Sequence, residues 1–281
     1  LLIPPSIIMI VYGVAAEVSI AQLFIAGVFP GLLLASLFMA YTIVWSLLHP
    51  DQIPPADQNM TFLQKLDASR NLIPVISLIT AVLGSIYTGL ATATEAAGLG
   101  VVGAMVIAAI QGEMNWKNFR DSLLGATRLY CMIALILAGA AFLTLAMGYI
   151  GLPRHLAEWI GGLGLSPLAL VMALMAFFII LGCFLDGISI IVLTMGILLP
   201  TIEKAGIDLI WFGIYVVLVV EMAQITPPVG FNLFVLQGMT KKEITWLARH
   251  SMPMFFLMVG AVLLIYFFPG IITWLPQQMS G

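Results

Sequence analysis

The sequence predicts an all-α polytopic membrane protein. Three observations lead there. First, the 281 residues are 62% hydrophobic and only 8% charged, with a mean hydropathy of +1.14. A soluble domain carries about 25% charged residues, so most of this chain meets lipid rather than water. Second, apolar runs recur at spanning length, and a spanning helix needs about 20 such residues. Third, two of the runs are broken by paired prolines, Pro4-Pro5 and Pro227-Pro228. Length alone would allow two soluble domains, and the composition removes that reading. A net charge of −3 without a basic cluster gives nucleic acid nothing to bind.

The elements follow in order. Residues 1–13 make a half-span, and residues 19–29 an interfacial or linker helix. Residues 28–48 are a full span. Residues 72–88 and 93–110 are two more, closely joined, and residues 123–150 form a long one. Residues 154–161 read as interfacial, with Trp159 as an anchor. Residues 168–200 are apolar but interrupted at 182–187, and residues 209–238 are interrupted at 226–230. Residues 252–275 are the last span. Cys131 and Cys183 stand alone in apolar stretches, so neither a disulfide nor a metal site is expected from them. The first residues carry no initiator Met, basic region or cleavage site, and they open inside an apolar run. The expectation is a fragment with sequence missing upstream.

Charge sets the orientation. With the 241–249 loop placed in the cytoplasm, Lys65, Arg70, Lys117, Arg120, Arg128, Lys241, Lys242 and Arg249 share one side, Arg128 at its edge. Arg154 and Lys204 fall on the other. Eight against two satisfies the positive-inside rule. The count is the same whether residues 168–200 form a re-entrant hairpin or two crossings. In this orientation residues 1–13 run out of the cytoplasm and residues 209–238 run into it.

Those two segments carry one motif, Ile3-Pro4-Pro5-Ser6-Ile7 and Ile225-Thr226-Pro227-Pro228-Val229-Gly230. Proline lacks an N–H and clashes with the carbonyl one turn back, so a pair unwinds a helix. Lipid offers the freed carbonyls no partner, whereas a cation does. The N-terminus of the following half-helix offers N–H groups to an anion. One motif in two oppositely directed spans is the mark of an inverted-repeat transporter with midplane sites. Two Pro-kinked structural helices are the plain alternative.

In residues 179–200, arms of about a dozen residues flank Asp186-Gly187, a pair suited to a turn. A re-entrant hairpin with its tip at 186–189 fits, and its tip meets the 226–230 break if both lie at mid-depth. Ser189, Thr194 and Thr226 add hydroxyl oxygens, hard ligands suited to Na⁺. Three acids sit at membrane depth, where an Asp costs about 2.5–3.5 kcal/mol. Asp186 either binds an ion or caps the second arm. Glu221 stands about 140° around the helix from Thr226 and is expected to pair with Asn232 or with a hydroxyl of another element. Glu95, after Thr92 and Thr94, reads as an N-terminal helix acid or as a functional carboxylate.

The run Gln224-Ile225-Thr226-Pro227-Pro228-Val229-Gly230-Phe231-Asn232-Leu233-Phe234 resembles the signature of the large membrane subunit of TRAP transporters (tripartite ATP-independent periplasmic transporters). Leu2-Ile3-Pro4-Pro5-Ser6 with Tyr12-Gly13 is similar to it too. So are Phe184-Leu185-Asp186-Gly187, Leu199-Pro200, Gly206-Ile207-Asp208, Tyr87-Thr88-Gly89 and Thr94-Glu95-Ala96-Ala97. The likeness covers essentially the whole chain. Phe231 and Ala223 stand where other members often have Leu and Gly, and neither change removes an oxygen ligand.

The resemblance implies an ion-transporter-superfamily inverted-repeat fold of elevator type, with a re-entrant hairpin and broken Pro-Pro helices. It implies Na⁺ as coupling ion, no organic cofactor, and uptake of an organic anion such as sialic acid or a C4-dicarboxylate. The partners it implies are a periplasmic substrate-binding protein, a small membrane subunit (separate or fused) and the lipid of a bacterial inner membrane. Carried onto this chain, sodium and solute contacts fall on Pro4, Pro5, Ser6, Asp186, Gly187, Ser189, Thr226, Pro227, Pro228, Gly230 and Asn232. Among them Gly187, Ser189, Thr226, Pro227 and Gly230 hold Na⁺. The expected division is 1–13 as the end of a first repeat and 14–70 as interfacial helix, scaffold span and cytoplasmic loop. Residues 71–165 are spans of the second repeat, 166–239 its hairpin and broken helix, and 240–281 a loop and last span. The first break lacks its hairpin partner here, so this chain alone is not expected to transport.

Other classes fit less well. An aspartyl intramembrane protease needs two facing carboxylates sharing a proton, and no second Asp lies deep. A serine type needs a buried His, and His49, His155 and His250 fall at membrane edges. A channel needs symmetric rings of ligands, which asymmetric breaks do not supply. A structural subunit, or a Na⁺–anion symporter that works without a binding protein, remains as the alternative.

Overall fold

The computed structural model describes residues 2–52, 61, 64, 69–227 and 230–279. Among these the regular structure is helical, with twelve α-helices and short 3-10 turns at Pro50–Gln52 and Ser69–Leu72. The helices are α1 (Ile7–Ala15), α2 (Ile20–Leu48), α3 (Ile73–Tyr87), α4 (Ala93–Ile110), α5 (Trp116–Ile150) and α6 (Leu152–Gly162). They continue with α7 (Pro167–Gly182), α8 (Gly187–Lys204), α9 (Leu209–Gln224), α10 (Phe231–Thr240), α11 (Ile244–Phe267) and α12 (Gly270–Met279). Five of them, α2, α4, α5, α8 and α11, are long and apolar enough to cross a bilayer.

The chain forms two compact units. The larger comprises Leu1–Leu34 and Arg128–Gly281, the smaller Ala35–Thr127. The core of the larger unit is α9, in which every residue from 211 to 220 is buried. Polar atoms on its aromatic side find main-chain partners, as buried tyrosine and tryptophan require. Tyr215 donates to the Val171 carbonyl at 2.6 Å, and Trp211 Nε1 to the Ile265 carbonyl at 3.1 Å. Tyr12 of α1 donates to the Leu209 carbonyl at 2.7 Å. A Cβ on Gly213 would stand 2.5 Å from the Tyr12 ring and 2.8 Å from Leu23, so this glycine lets α1 and α2 reach α9.

In the smaller unit α3 pairs with α4 through a short connection. Gly103 allows the approach, since a Cβ there would stand 2.4 Å from Leu78. Val101, Val102, Val106 and Ile110 of α4 are exposed. Such a continuous apolar face needs lipid or protein as cover.

Three elements differ from the sequence reading. Residues 19–29 are no separate interfacial helix: one helix of 29 residues runs from Ile20 to Leu48 with Pro30 inside it. Nothing after Ser19 stops it, and a single missing N–H leaves the ladder intact on both sides. The last span divides at Phe268, where φ is −124° and ψ is 68°. Phe268 precedes Pro269, which pushes it out of the helical region. The arms flanking Asp186 hold 16 and 18 residues rather than a dozen. Ser166 caps the first arm, and the second passes through Pro200 to Lys204. At about 27 Å the second arm is long enough to cross, so arm length does not separate a re-entrant hairpin from two crossings. The interfacial reading of α6 fits its amphipathic make-up. There Arg154 Nε meets Glu158 Oε1 at 2.9 Å and holds that carboxyl below the usual carboxylate range. Lys65 lies outside the described residues.

Candidate functional site

The turn between α7 and α8 is built by Asp186. Its backbone is extended, and its Oδ2 accepts the N–H groups of Ile188 at 3.1 Å and Ser189 at 3.3 Å. Ser189 Oγ donates to Asp186 Oδ1. Of the two readings of Asp186, the cap is what the geometry displays, and it draws Ser189 into the same turn.

The second break follows α9. Thr226 N–H donates to the Ala223 carbonyl at 3.1 Å, and Thr226 Oγ1 to the Met222 carbonyl at 2.7 Å. Among the described residues no donor reaches that hydroxyl oxygen or the Thr226 carbonyl. Pro228 lies outside the described residues. Gly230 has φ +30°, and a Cβ on it would stand 2.9 Å from the Thr226 carbonyl oxygen and 3.1 Å from that of Gln224. Two main-chain oxygens therefore converge on a space that only glycine leaves open. They lie at the C-terminal end of α9, the negative pole of that helix. Asn232, half-buried, stands in the first turn of α10, which starts without a side-chain cap.

Tip and break touch. Cys183 Sγ donates to the Pro227 carbonyl at 3.3 Å. A Cβ on Gly182 would stand 2.2 Å from Cβ of Ala223. A Cβ on Gly187 would stand 2.6 Å from Gln224 Nε2 and 2.8 Å from both Ile8 and Val220. Ile8 belongs to α1, which starts just after the first break. There Pro4 is buried, Pro5 is exposed, the bond joining them is cis, and Ser6 Oγ accepts the Met9 N–H at 3.4 Å. The helix after the first break, the hairpin tip and the second break thus meet around Gly187, all within the larger unit.

Other candidates stand apart. Thr194 donates to the Ile190 carbonyl at 2.7 Å, more than a turn into α8, and is not part of the tip. Glu221 does not pair with Asn232 or with a hydroxyl: its buried Oε2 has no hydrogen-bond partner. The neighbours along its own helix, such as Val217, Leu218 and Met222, are buried apolar side chains with no donor to offer, and Asn232 lies beyond the break. Glu95 and Thr92 form a reciprocal capping box, Thr92 N–H to Glu95 Oε2 at 2.8 Å and Glu95 N–H to Thr92 Oγ1 at 3.3 Å, which bears out the helix-start reading. Both cysteines are free thiols. Among the described residues no three His, Cys, Asp or Glu gather to hold a metal ion. The residue that sequence reading missed is Gln224. Its one signal was position, as the last residue of an apolar helix just before Ile225-Thr226-Pro227.

Comparison with known proteins adds the family. The sequence profile of "Tripartite ATP-independent periplasmic transporter, DctM component" matches residues 1–271. The C4-dicarboxylate TRAP transporter large permease protein DctM of Pseudomonas aeruginosa is 32% identical over all of this chain and 65% of its own length. The isethionate TRAP transporter permease protein DctMQ of Oleidesulfovibrio alaskensis is 32% identical over 96% of this chain and 42% of itself. The ectoine/5-hydroxyectoine TRAP transporter large permease protein UehC of Ruegeria pomeroyi is 31% identical over 98% of this chain and 64% of itself. This chain thus spans 65% of the Pseudomonas relative's length. With its broken helices, its apolar spans and this match along nearly its whole length, the chain belongs to the DctM family of large TRAP transporter membrane subunits.

Proposed function

We propose that this chain is the part of a secondary transporter that carries one half of the coupling site for Na⁺-driven uptake of an organic anion. The observation that carries the proposal is the contact of hairpin tip and second break, through Cys183 and Pro227, beside two converging carbonyl oxygens at Gly230. Oxygen ligands of this kind suit a hard cation, and broken helices facing a midplane site are how inverted-repeat transporters build one. On this reading Na⁺ sits between Gly187, Ser189, Thr226, Pro227 and Gly230. Asp186 holds the tip, while Pro4, Pro5, Ser6, Pro228 and Asn232 line the solute side. Residues 1–13 and 166–239 then move as the transport part, elevator-fashion, against a scaffold drawn from 14–70, 71–165 and 240–281. A periplasmic binding protein delivers the solute, a small membrane subunit completes the assembly, and the site of action is the bacterial inner membrane.

The test is uptake by the full-length assembly in proteoliposomes under an inward Na⁺ gradient, with and without the binding protein. C4-dicarboxylate, isethionate, ectoine and sialic acid form the panel. Uptake of one of them that needs both Na⁺ and the binding protein is the expected result. Uptake with Na⁺ alone moves the protein to the symporters that need no binding protein. No uptake by folded protein supports a structural subunit.

A further inference from the structure

An apolar crevice of about 700 Å³ opens in the larger unit, away from the hairpin tip. Leu137, Ala138, Ala141 and Leu145 of α5 form one wall, at a spacing that puts them on one helix face. Val192, Met195, Leu199 and Glu203 of α8 form another, again on one face. Val14 of α1 and Glu17 just beyond that helix border it. Val14 is 53% exposed and Leu145 64%. Thus α5 and α8 turn apolar faces toward one space that no described side chain fills.

The crevice has a definite length and polarity. From Val192 to Glu203, α8 rises about 16 Å, close to half the hydrocarbon thickness of a bilayer. Among the described residues its charged lining is Glu17 and Glu203, both exposed. Neither carboxylate forms an ion pair or accepts a hydrogen bond among those residues. Glu203 lies near the end of α8 and Glu17 past the end of α1. In the orientation set by the charge count, both ends face away from the cytoplasm. The crevice is therefore one leaflet deep, apolar along its length and acidic at its outer end.

Size and charge select the occupant. A spanning helix, 10 Å wide and 30 Å long, fills more than about 2,000 Å³. Neither a second copy nor another subunit has room to lay such a helix here. A lipid tail is one carbon wide. It gains no hydrophobic energy on leaving other tails, but it restores the dispersion contacts that an empty crevice forfeits. Selectivity then falls to the acidic end. An anionic headgroup is repelled there, whereas a primary ammonium offers carboxylates charge-assisted N–H bonds.

We propose that this crevice binds a phospholipid with a primary-amine headgroup, its tail along α5 and α8 and its ammonium at Glu17 and Glu203. The site lies outside the sodium reading and does not depend on it.

The experiment reconstitutes the complete assembly in nanodiscs with equal parts of phosphatidylethanolamine, phosphatidylcholine and phosphatidylglycerol. One lipid at a time carries a photoreactive diazirine on its tail, and adducts on residues 137–145 and 192–199 are mapped by peptide mass spectrometry. Phosphatidylethanolamine is expected to label these residues about tenfold more than phosphatidylglycerol, relative to labelling of the rest of the chain. That is the scale of one charge-assisted hydrogen bond. Phosphatidylcholine, whose quaternary ammonium has no N–H, should fall between. Glu17→Gln combined with Glu203→Gln should shrink the preference to within about twofold, whereas Glu113→Gln, at an exposed acid elsewhere, should keep it. Ala141→Trp, which fills the crevice, should remove the adducts of all three lipids on residues 192–199. Equal labelling by the three lipids, or a preference that survives both glutamine substitutions, overturns the proposal. So does the absence of adducts on 137–145 and 192–199 while other apolar spans are labelled, since a protein segment then fills the crevice. If the glutamine variant does not fold, the comparison of the three lipids on the wild-type assembly decides.

Discussion

Gly187 and Gly230 sit on the two sides of the same contact and are glycine for different reasons. Gly230 combines a positive φ with two carbonyl oxygens about 3 Å from where a side chain would begin. An L-residue in the left-handed region costs roughly 1–2 kcal/mol, and main-chain oxygens have little freedom to yield. Gly187 has room only because the Gln224 amide, Ile8 and Val220 stop short of it. Gly187→Ala is therefore expected to abolish most solute uptake while the protein still inserts, because the tip cannot close on the break. Gly148, with nothing within 4 Å of a built Cβ, is the control, and Gly148→Ala should retain wild-type uptake. Equal activity of the two variants in the same proteoliposome assay refutes the packing account.

At the scale of elements, most ends of helices are written in short signals. The Thr92–Glu95 box opens α4, Asp186 opens α8, Asp208 accepts the Trp211 N–H at 2.8 Å to open α9, and the second Pro-Pro pair separates α9 from α10. Glu95→Ala should lower stability, read as a fall in Tm, with half-saturating Na⁺ unchanged. A shift in Na⁺ activation would instead make Glu95 part of the site. Breaks and caps were legible because proline, glycine and short polar side chains act on their own backbone. What was not legible depended on partners distant in sequence. Residues 19–29 read as a separate element until the segment before α1 is seen lying along α2. Gln224 gives no periodic signal, since one polar residue in an apolar helix looks like noise until Gly187 is placed against it. Glu221 invited a partner from sequence, and packing brings none.

At the scale of the molecule, the charge asymmetry makes a direct statement about sides. A cysteine at Glu113, between α4 and α5, and one at Lys242, between α10 and α11, should react with an impermeant thiol reagent from the same face in a Cys131→Ser background. A cysteine at Gly164, between α6 and α7, should react from the opposite face. Glu113 and Gly164 labelling together would overturn the topology. Gln58, in the loop expected on the cytoplasmic side, lies outside the described residues. Both compact units take a share of α2, since their boundary falls between Leu34 and Ala35 inside that helix. Its Gly27 and Gly31 lie one turn apart, the first 2.9 Å at Cβ from the Leu2 carbonyl and the second 2.7 Å from the Ile3 side chain. The segment before α1 thus lies against α2 at two successive turns, and this pins the helix in phase. One residue inserted between the two glycines would swing every later position by about 100°. Between Gly27 and Gly31 the sequence of α2 is therefore intolerant of changes in length.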